Sequence, residues 1–206
     1  MSPAHALELL LHPDDDAAVR QDWAALEQAG VPSLARHRGS THRPHLTVVT
    51  GRAPDEDVLD LAARLLLPLL PLTTVVEGRV LLGGRSPALA HRLRVPLGLQ
   101  EARDLLADRW PGADRRPWVP HLSLTRRTRH DHLVAALGAL TPGTHEGSVR
   151  LVAARWWDPD AGTVTVLERP PAVPVTGAAP DHLPGRAAGA PPARTGRTTA
   201  ATTART

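Results

Sequence analysis

Pro44-His45-Leu46-Thr47-Val48 and Pro120-His121-Leu122-Ser123-Leu124 are one five-residue word written twice in this chain of 206 residues. Side chains on a strand alternate between its two faces. The spacing therefore predicts that His45 and Thr47 share one face while Leu46 and Val48 enter a core. His121 and Ser123 stand in the same relation to Leu122 and Leu124. The proline before each word favours extended backbone and suits the first positions of a strand. Each strand is thus expected to bury two aliphatics and to present an imidazole beside a hydroxyl on its other side.

The rest of the chain alternates between strand and helix patterns. Ala6 to Leu11 reads as a strand. Asp14 offers a helix cap, with Val19, Trp23 and Leu26 recurring at helical spacing up to Gly30. After the strand His45 to Thr50, Pro54 opens a helix with Val58, Leu61, Ala62, Leu65 and Leu69 on one face. Leu72 to Glu77, Arg79 to Leu82 and Leu89 to Val95 read as strands, and Leu99 to Trp110 as a helix. A strand over His121 to Arg126 and a helix over Asp131 to Leu140 follow. Val149 to Trp157 and Thr163 to Leu167 are expected to form a hairpin around Asp158-Pro159-Asp160-Ala161-Gly162. From Pro170 onward Pro, Ala, Gly, Thr and Arg dominate. Such a composition cannot offset the entropy of ordering, so residues 170–206 read as a disordered tail behind a domain over 1–169.

Charge is distributed by region. Every basic side chain except histidine is arginine, and of the 24 arginines and 21 acids, four arginines and one acid fall in the tail. The tail thus carries the whole net charge of +3 and the body is neutral, which argues against a general polyanion binder. Two windows are nevertheless purely basic. One holds Arg36, Arg38, Arg43 and Arg52; the other holds Arg115, Arg116, Arg126, Arg127 and Arg129. Each contains one histidine word, and a field focused there suits a small anionic substrate or a nucleic-acid end. Without cysteine there is no disulfide framework or thiolate metal site. The longest apolar run, Leu65 to Leu72, is broken by Pro68 and Pro71, so no membrane span is expected. The N-terminal residues do not read as a signal peptide, and the expectation is a cytoplasmic protein, with monomer the default.

Two histidine–hydroxyl pairs suit a particular chemistry. Hydrolysis of a cyclic phosphodiester needs a base to take a proton from water and an acid to protonate the departing sugar oxygen. Histidine serves both roles near neutral pH. Two hydroxyls and an arginine can hold the non-bridging phosphate oxygens. The scheme needs neither metal nor cofactor.

On these words the chain resembles the 2H phosphoesterase superfamily, marked by two His-x-Thr/Ser motifs with apolar residues at x. Within it, the chain is most similar to the 2′-5′ RNA ligase-like proteins, also called RNA 2′,3′-cyclic phosphodiesterases. Trp118-Val119-Pro120-His121-Leu122-Ser123-Leu124-Thr125-Arg126 carries the second motif, with an arginine five residues after the histidine. The resemblance covers roughly Ala6 to Arg169. It implies an α+β fold of two lobes, with two antiparallel sheets flanking a central cleft and helices outside. It implies His45 as proton donor, His121 as proton acceptor, Thr47 and Ser123 as phosphate-binding hydroxyls, and Arg126 as their support. The implied substrate is a phosphate-ended RNA or a small cyclic nucleotide, with weak 2′-5′ ligation as the reverse reaction.

Some choices stay open. The two words are nearly symmetric and do not rank acid against base. Strand parity gives Arg127 the face of His121 and Ser123, whereas the resemblance gives Arg126; Arg126 comes first because a strand end can twist or bulge. Arg43 and Trp118, each beside a motif, complete the candidate substrate contacts. His42 and His45 are three apart on extended backbone and point to opposite faces, which disfavours a shared metal. His130 and His132 open a helix and read as surface residues. The alternative from another class is a non-catalytic nucleotide- or RNA-binding module, but a binder has no need of a paired acid and base.

Overall fold

The computed structural model describes residues 4–140 and 147–168; the tail expected from Pro170 lies outside them. In chain order the elements are β1 (His5–Leu11), α1 (Pro13–Gln28), β2 (His45–Gly51), α2 (Glu56–Leu66), β3 (Leu72–Leu82), β4 (Ala88–Arg94), α3 (Leu97–Arg109), β5 (His121–Ser123), α4 (His130–Ala139), β6 (Ser148–Asp158) and β7 (Thr163–Val166). The expected α+β architecture is present, and every strand pairing is antiparallel.

Two groups of strands meet at two seams. β2, β1, β6 and β7 pair in that order, as do β5, β4 and β3. One seam joins β3 to β6, with Leu72 to Val75 against Leu151 to Ser148. The other joins β2 to β5 through the pair Leu46 and Leu122. Because β1 also pairs with β6, β1, β2, β5, β4, β3 and β6 close on themselves. Leu7, Leu9, Leu11, Leu46, Leu122, Leu89 and Leu151 fill the space behind the strands. Helix α1 adds Val19, Trp23 and Leu26 at the spacing of one helical face. α2 packs against α3, and α1 against α4.

Several local expectations change. The first helix begins at Pro13, not Asp14, and its cap is the His12 side chain, whose Nδ1 accepts from the Asp14 amide at 3.3 Å. Proline at the first helical position costs no hydrogen bond there. Asp14 and Asp15 instead bind Arg150 of β6. The two strands expected over residues 72–82 are one, β3, with a register shift between Val76 and Gly78. Gly78 takes φ +134°, a conformation open to glycine, and lets the strand continue through the irregularity. β5 stops at Ser123, short of Arg126, because the Leu124 and Thr125 amides both turn to the Leu89 carbonyl, at 2.9 and 3.1 Å.

Trp23 links α1 to both histidine strands. Its indole N–H donates to the Ser123 carbonyl at 3.0 Å, and its ring stacks on His42, just before β2, with centroids 5.1 Å apart. Replacing the 2 %-exposed Trp23 by Ala should cost about 3–5 kcal/mol in chemical denaturation. Trp23→Phe keeps most of the packing but strands a carbonyl, at about 1–3 kcal/mol.

Burial is the largest influence holding the His42 imidazole down at about 4, followed by the neighbouring His37 charge. The unfolded chain therefore binds a proton at this residue that the folded chain rejects between about pH 6.5 and 4. Stability should fall as pH drops through that window. Urea titrations at several pH values should show a shallower fall for His42→Gln.

Candidate active site

The single pair Leu46 with Leu122 sets the geometry of the site. On antiparallel strands it puts His45 opposite Ser123 and Thr47 opposite His121, all four on the face away from the buried leucines. Diagonal neighbours of this kind lie about 7–8 Å apart along the backbone.

The two words fold alike in further respects. His45 Nδ1 lies 2.7 Å from the Arg43 carbonyl, and His121 Nδ1 lies 2.7 Å from the Val119 carbonyl. A carbonyl only accepts, so each Nδ1 carries a proton and Nε2 is the nitrogen that the backbone does not engage. The carbonyls of the hydroxyl residues each receive an indole N–H, Thr47 from Trp118 and Ser123 from Trp23, both at 3.0 Å. Past the motif both strands break alternation: Val48 and Val49 are both buried, as are Leu124 and Thr125. In β2 the register against β1 skips Val48, with Leu7 opposite Val49 and Glu8 opposite Thr47. These bulges re-aim the chain at the rim of the site.

The second bulge bears on the two arginines. With Leu124 and Thr125 both inward, Arg126 is the first exposed side chain after Ser123, and Arg127 follows it in the loop to α4. Among the described residues no acid pairs with either. Most other arginines of the two basic windows are neutralised by acids from outside them or at their borders. Arg36 binds Glu27, Arg43 binds Asp16, Arg115 binds Asp108, Arg116 binds Asp114 and Arg129 binds Asp131. Arg43 Nε rests 3.1 Å from Asp16 on α1, so its guanidinium is engaged there.

A cavity of about 550 Å³ opens beside the pair. Thr47, His121 and Trp118 line one side, and Leu82, Gly83 and Ala88 of the β3–β4 hairpin line another. Arg103 and the ion pair of Arg116 with Asp114 complete its wall. Burial, the largest influence, pushes the His121 imidazole below its ordinary value; the His45 charge adds to this, and the Val119 carbonyl opposes it.

Three nearby charged residues were not anticipated from sequence. Glu8, on β1, places Oε1 3.3 Å from His45 Nε2 and Oε2 2.7 Å from Arg155 Nε. Arg155, on β6, also donates to the Thr41 carbonyl at 3.0 Å. Arg92, on β4, stands directly across from His121. An acid inside the otherwise apolar run Leu7 to Leu11 was the available signal for Glu8; Arg92 needed the strand order.

Among the described residues one group could hold a metal ion, His5 with Asp158 and Asp160. The two ring nitrogens of His5 each meet their own carboxylate, at 3.7 and 3.2 Å, so the group ties β1 to the β6–β7 turn. It sits near Gly51, at the other end of β2 from His45. Among the same residues no helix is long and apolar enough to cross a membrane.

The fold occurs in a solved structure of a known protein. Usb1 of Kluyveromyces marxianus superposes with a TM-score of 0.50 at 14% identity, over 80% of this chain and 97% of that one. E. coli LigT, solved with 3′-AMP, gives 0.49 at 20% identity over 82% and 97%. TT0787 of Thermus thermophilus gives 0.47 at 19% over 81% and 96%. At such identities the likeness is one of fold. No curated protein matches the sequence. The family model of the 2′-5′ RNA ligase superfamily matches residues 13–162, a span that contains both histidine words. The chain belongs to the 2′-5′ RNA ligase superfamily.

Proposed function

We propose that the protein is a phosphodiesterase that opens a 2′,3′-cyclic phosphate, on an RNA end or a small nucleotide, by general acid–base catalysis between His45 and His121. The observation that carries this reading is the pairing of Leu46 with Leu122, which gathers two imidazoles and two hydroxyls on one face. With the phosphate between them, Thr47 and Ser123 donate to its non-bridging oxygens, and Arg126 adds charge from the rim. A water oxygen bonds to phosphorus while its proton passes to Nε2 of the basic histidine. The bond from phosphorus to one ribose oxygen breaks, and that oxygen takes the proton from Nε2 of the other histidine. The product is a phosphomonoester. With a 5′-hydroxyl in place of water as the nucleophile, the same steps open the cyclic phosphate to a phosphodiester, which is ligation. The cavity beside Thr47, His121 and Trp118 suits the attached nucleoside.

Release of phosphomonoester should be measured from a 2′,3′-cyclic nucleotide and from a cyclic-phosphate-ended RNA, with EDTA present. His45→Ala and His121→Ala should each lower kcat by about 10²–10⁴-fold, and Thr47→Val or Ser123→Ala by on the order of 10²-fold. If His121 is the base, its neutral form persists to lower pH than in an ordinary histidine. The acid limb of the pH–rate profile should then fall below the usual histidine range. A folded protein inert on both substrates in EDTA would point to the binding module instead.

A further inference from the structure

The near-twofold likeness of the two motifs ends at their outer neighbours. β1 flanks β2 as β4 flanks β5. Thr47 lies opposite Glu8, whereas Ser123 lies opposite Ala90. His45 lies opposite Leu10, whereas His121 lies opposite Arg92. One imidazole therefore has a carboxylate within reach on its own sheet and the other has a methyl group at the equivalent place. The carboxylate is also held in a fixed pose. Glu8 and Arg155 face each other across β1 and β6, with side chains 7% and 6% exposed, and Arg155 Nε occupies Oε2 at 2.7 Å. That leaves Oε1 for His45, 3.3 Å from Nε2.

We infer that Glu8 is a positioning residue for the reaction: the carboxylate oxygen not taken by Arg155 keeps a proton on Nε2 of His45, committing the first motif to the acid's role. The inference rests on the phosphodiesterase reading above. Carboxylate and carbonyl oxygens only accept hydrogen bonds. The Arg43 carbonyl takes a hydrogen bond from Nδ1 and the Glu8 carboxylate stands at ion-pair distance from Nε2, so His45 suits both neighbours best with a proton on each nitrogen. Arg155 balances the charge of Glu8, so an arriving phosphate does not meet a net negative group. His121 from β5 and His42 from the preceding loop also interact with His45, and both are cationic when charged. Neither offers an acceptor that competes with Glu8 as a carboxylate does. His121, buried and with Ala90 in the place of an acid, is left as the partner that receives a proton.

Glu8→Gln tests this sharply. Arg155 still needs an acceptor, so the amide oxygen stays on the guanidinium and the NH₂ turns to His45, offering Nε2 a donor in place of an acceptor. The paired variant Glu8→Gln/Arg155→Met removes the buried charge as a unit and guards against simple misfolding. Turnover would be compared on a 2′,3′-cyclic nucleotide, whose ribose oxygen must be protonated as it leaves, and on a p-nitrophenyl phosphodiester, whose phenolate leaves without a proton. The expected result in both variants is a drop of on the order of 10- to 100-fold in the ratio of the two rates, carried by kcat on the cyclic substrate. An equal loss on both substrates marks Glu8 as merely structural and overturns the inference.

Histidine ¹⁵N spectra of the unliganded protein give a readout independent of turnover. At one pH, wild type should show a proton on both nitrogens of His45 and the Glu8→Gln variant on Nδ1 alone. Identical His45 spectra would overturn the inference whatever the activities. Wild-type protein inert on both esters but with the expected spectral change would sink the phosphodiesterase reading and keep Glu8 as the group that holds the His45 proton.

Discussion

The site depends on one place where two strands touch. β2 and β5 come from distant parts of the chain and pair only at Leu46 and Leu122. Since strand side chains alternate, a slip of one residue at this seam would send a histidine into the core and a leucine to the cleft. The buried leucines on the reverse face make such a slip expensive, which is how the sheet holds two imidazoles on one face without a long shared ladder. Glu8, Arg155 and Arg92 then owe their places to which strands flank this pair.

Hydrogen bonds around the site keep the seam still. Trp23 reaches from α1 to the Ser123 carbonyl, Trp118 reaches from the loop before β5 to the Thr47 carbonyl, and His91 pairs with Asp22 at 2.8 Å in the core beneath β5. Buried polar contacts such as these carry little net stability beyond what apolar packing would give, but they allow few alternative arrangements. The seam is thus framed by groups that lose a hydrogen bond if either strand shifts.

Much of the fold was legible in the sequence because period and punctuation agree in most segments. Apolar spacing marked the helices that begin at Pro13, Glu56 and Leu97, and the turn at Asp158 to Gly162 marked the last hairpin. The bulges were not legible: Val48-Val49 is an ordinary strand pair, and nothing in Leu124-Thr125 announces two amides turning to one carbonyl. The parity argument that favoured Arg127 assumed a regular strand through Thr125, and the strand is not regular there. The basic windows showed only part of the local charge, since acids just outside them, or on α1 for Arg43, pair with Arg36, Arg43 and Arg115. The histidine words themselves were legible in one dimension. Their unequal neighbours, Glu8 against Ala90, exist only once strand order is fixed.

The two indole hydrogen bonds have a consequence outside chemistry. The chain has five tryptophans and no tyrosine or phenylalanine, so its intrinsic ultraviolet emission comes from indoles alone. Two of those five donate to the backbone carbonyls of Thr47 and Ser123. The residues that face the cleft with a hydroxyl therefore each hold a fluorophore through their own carbonyl. An event that strains either strand is written into the colour of the protein's light, with no label attached.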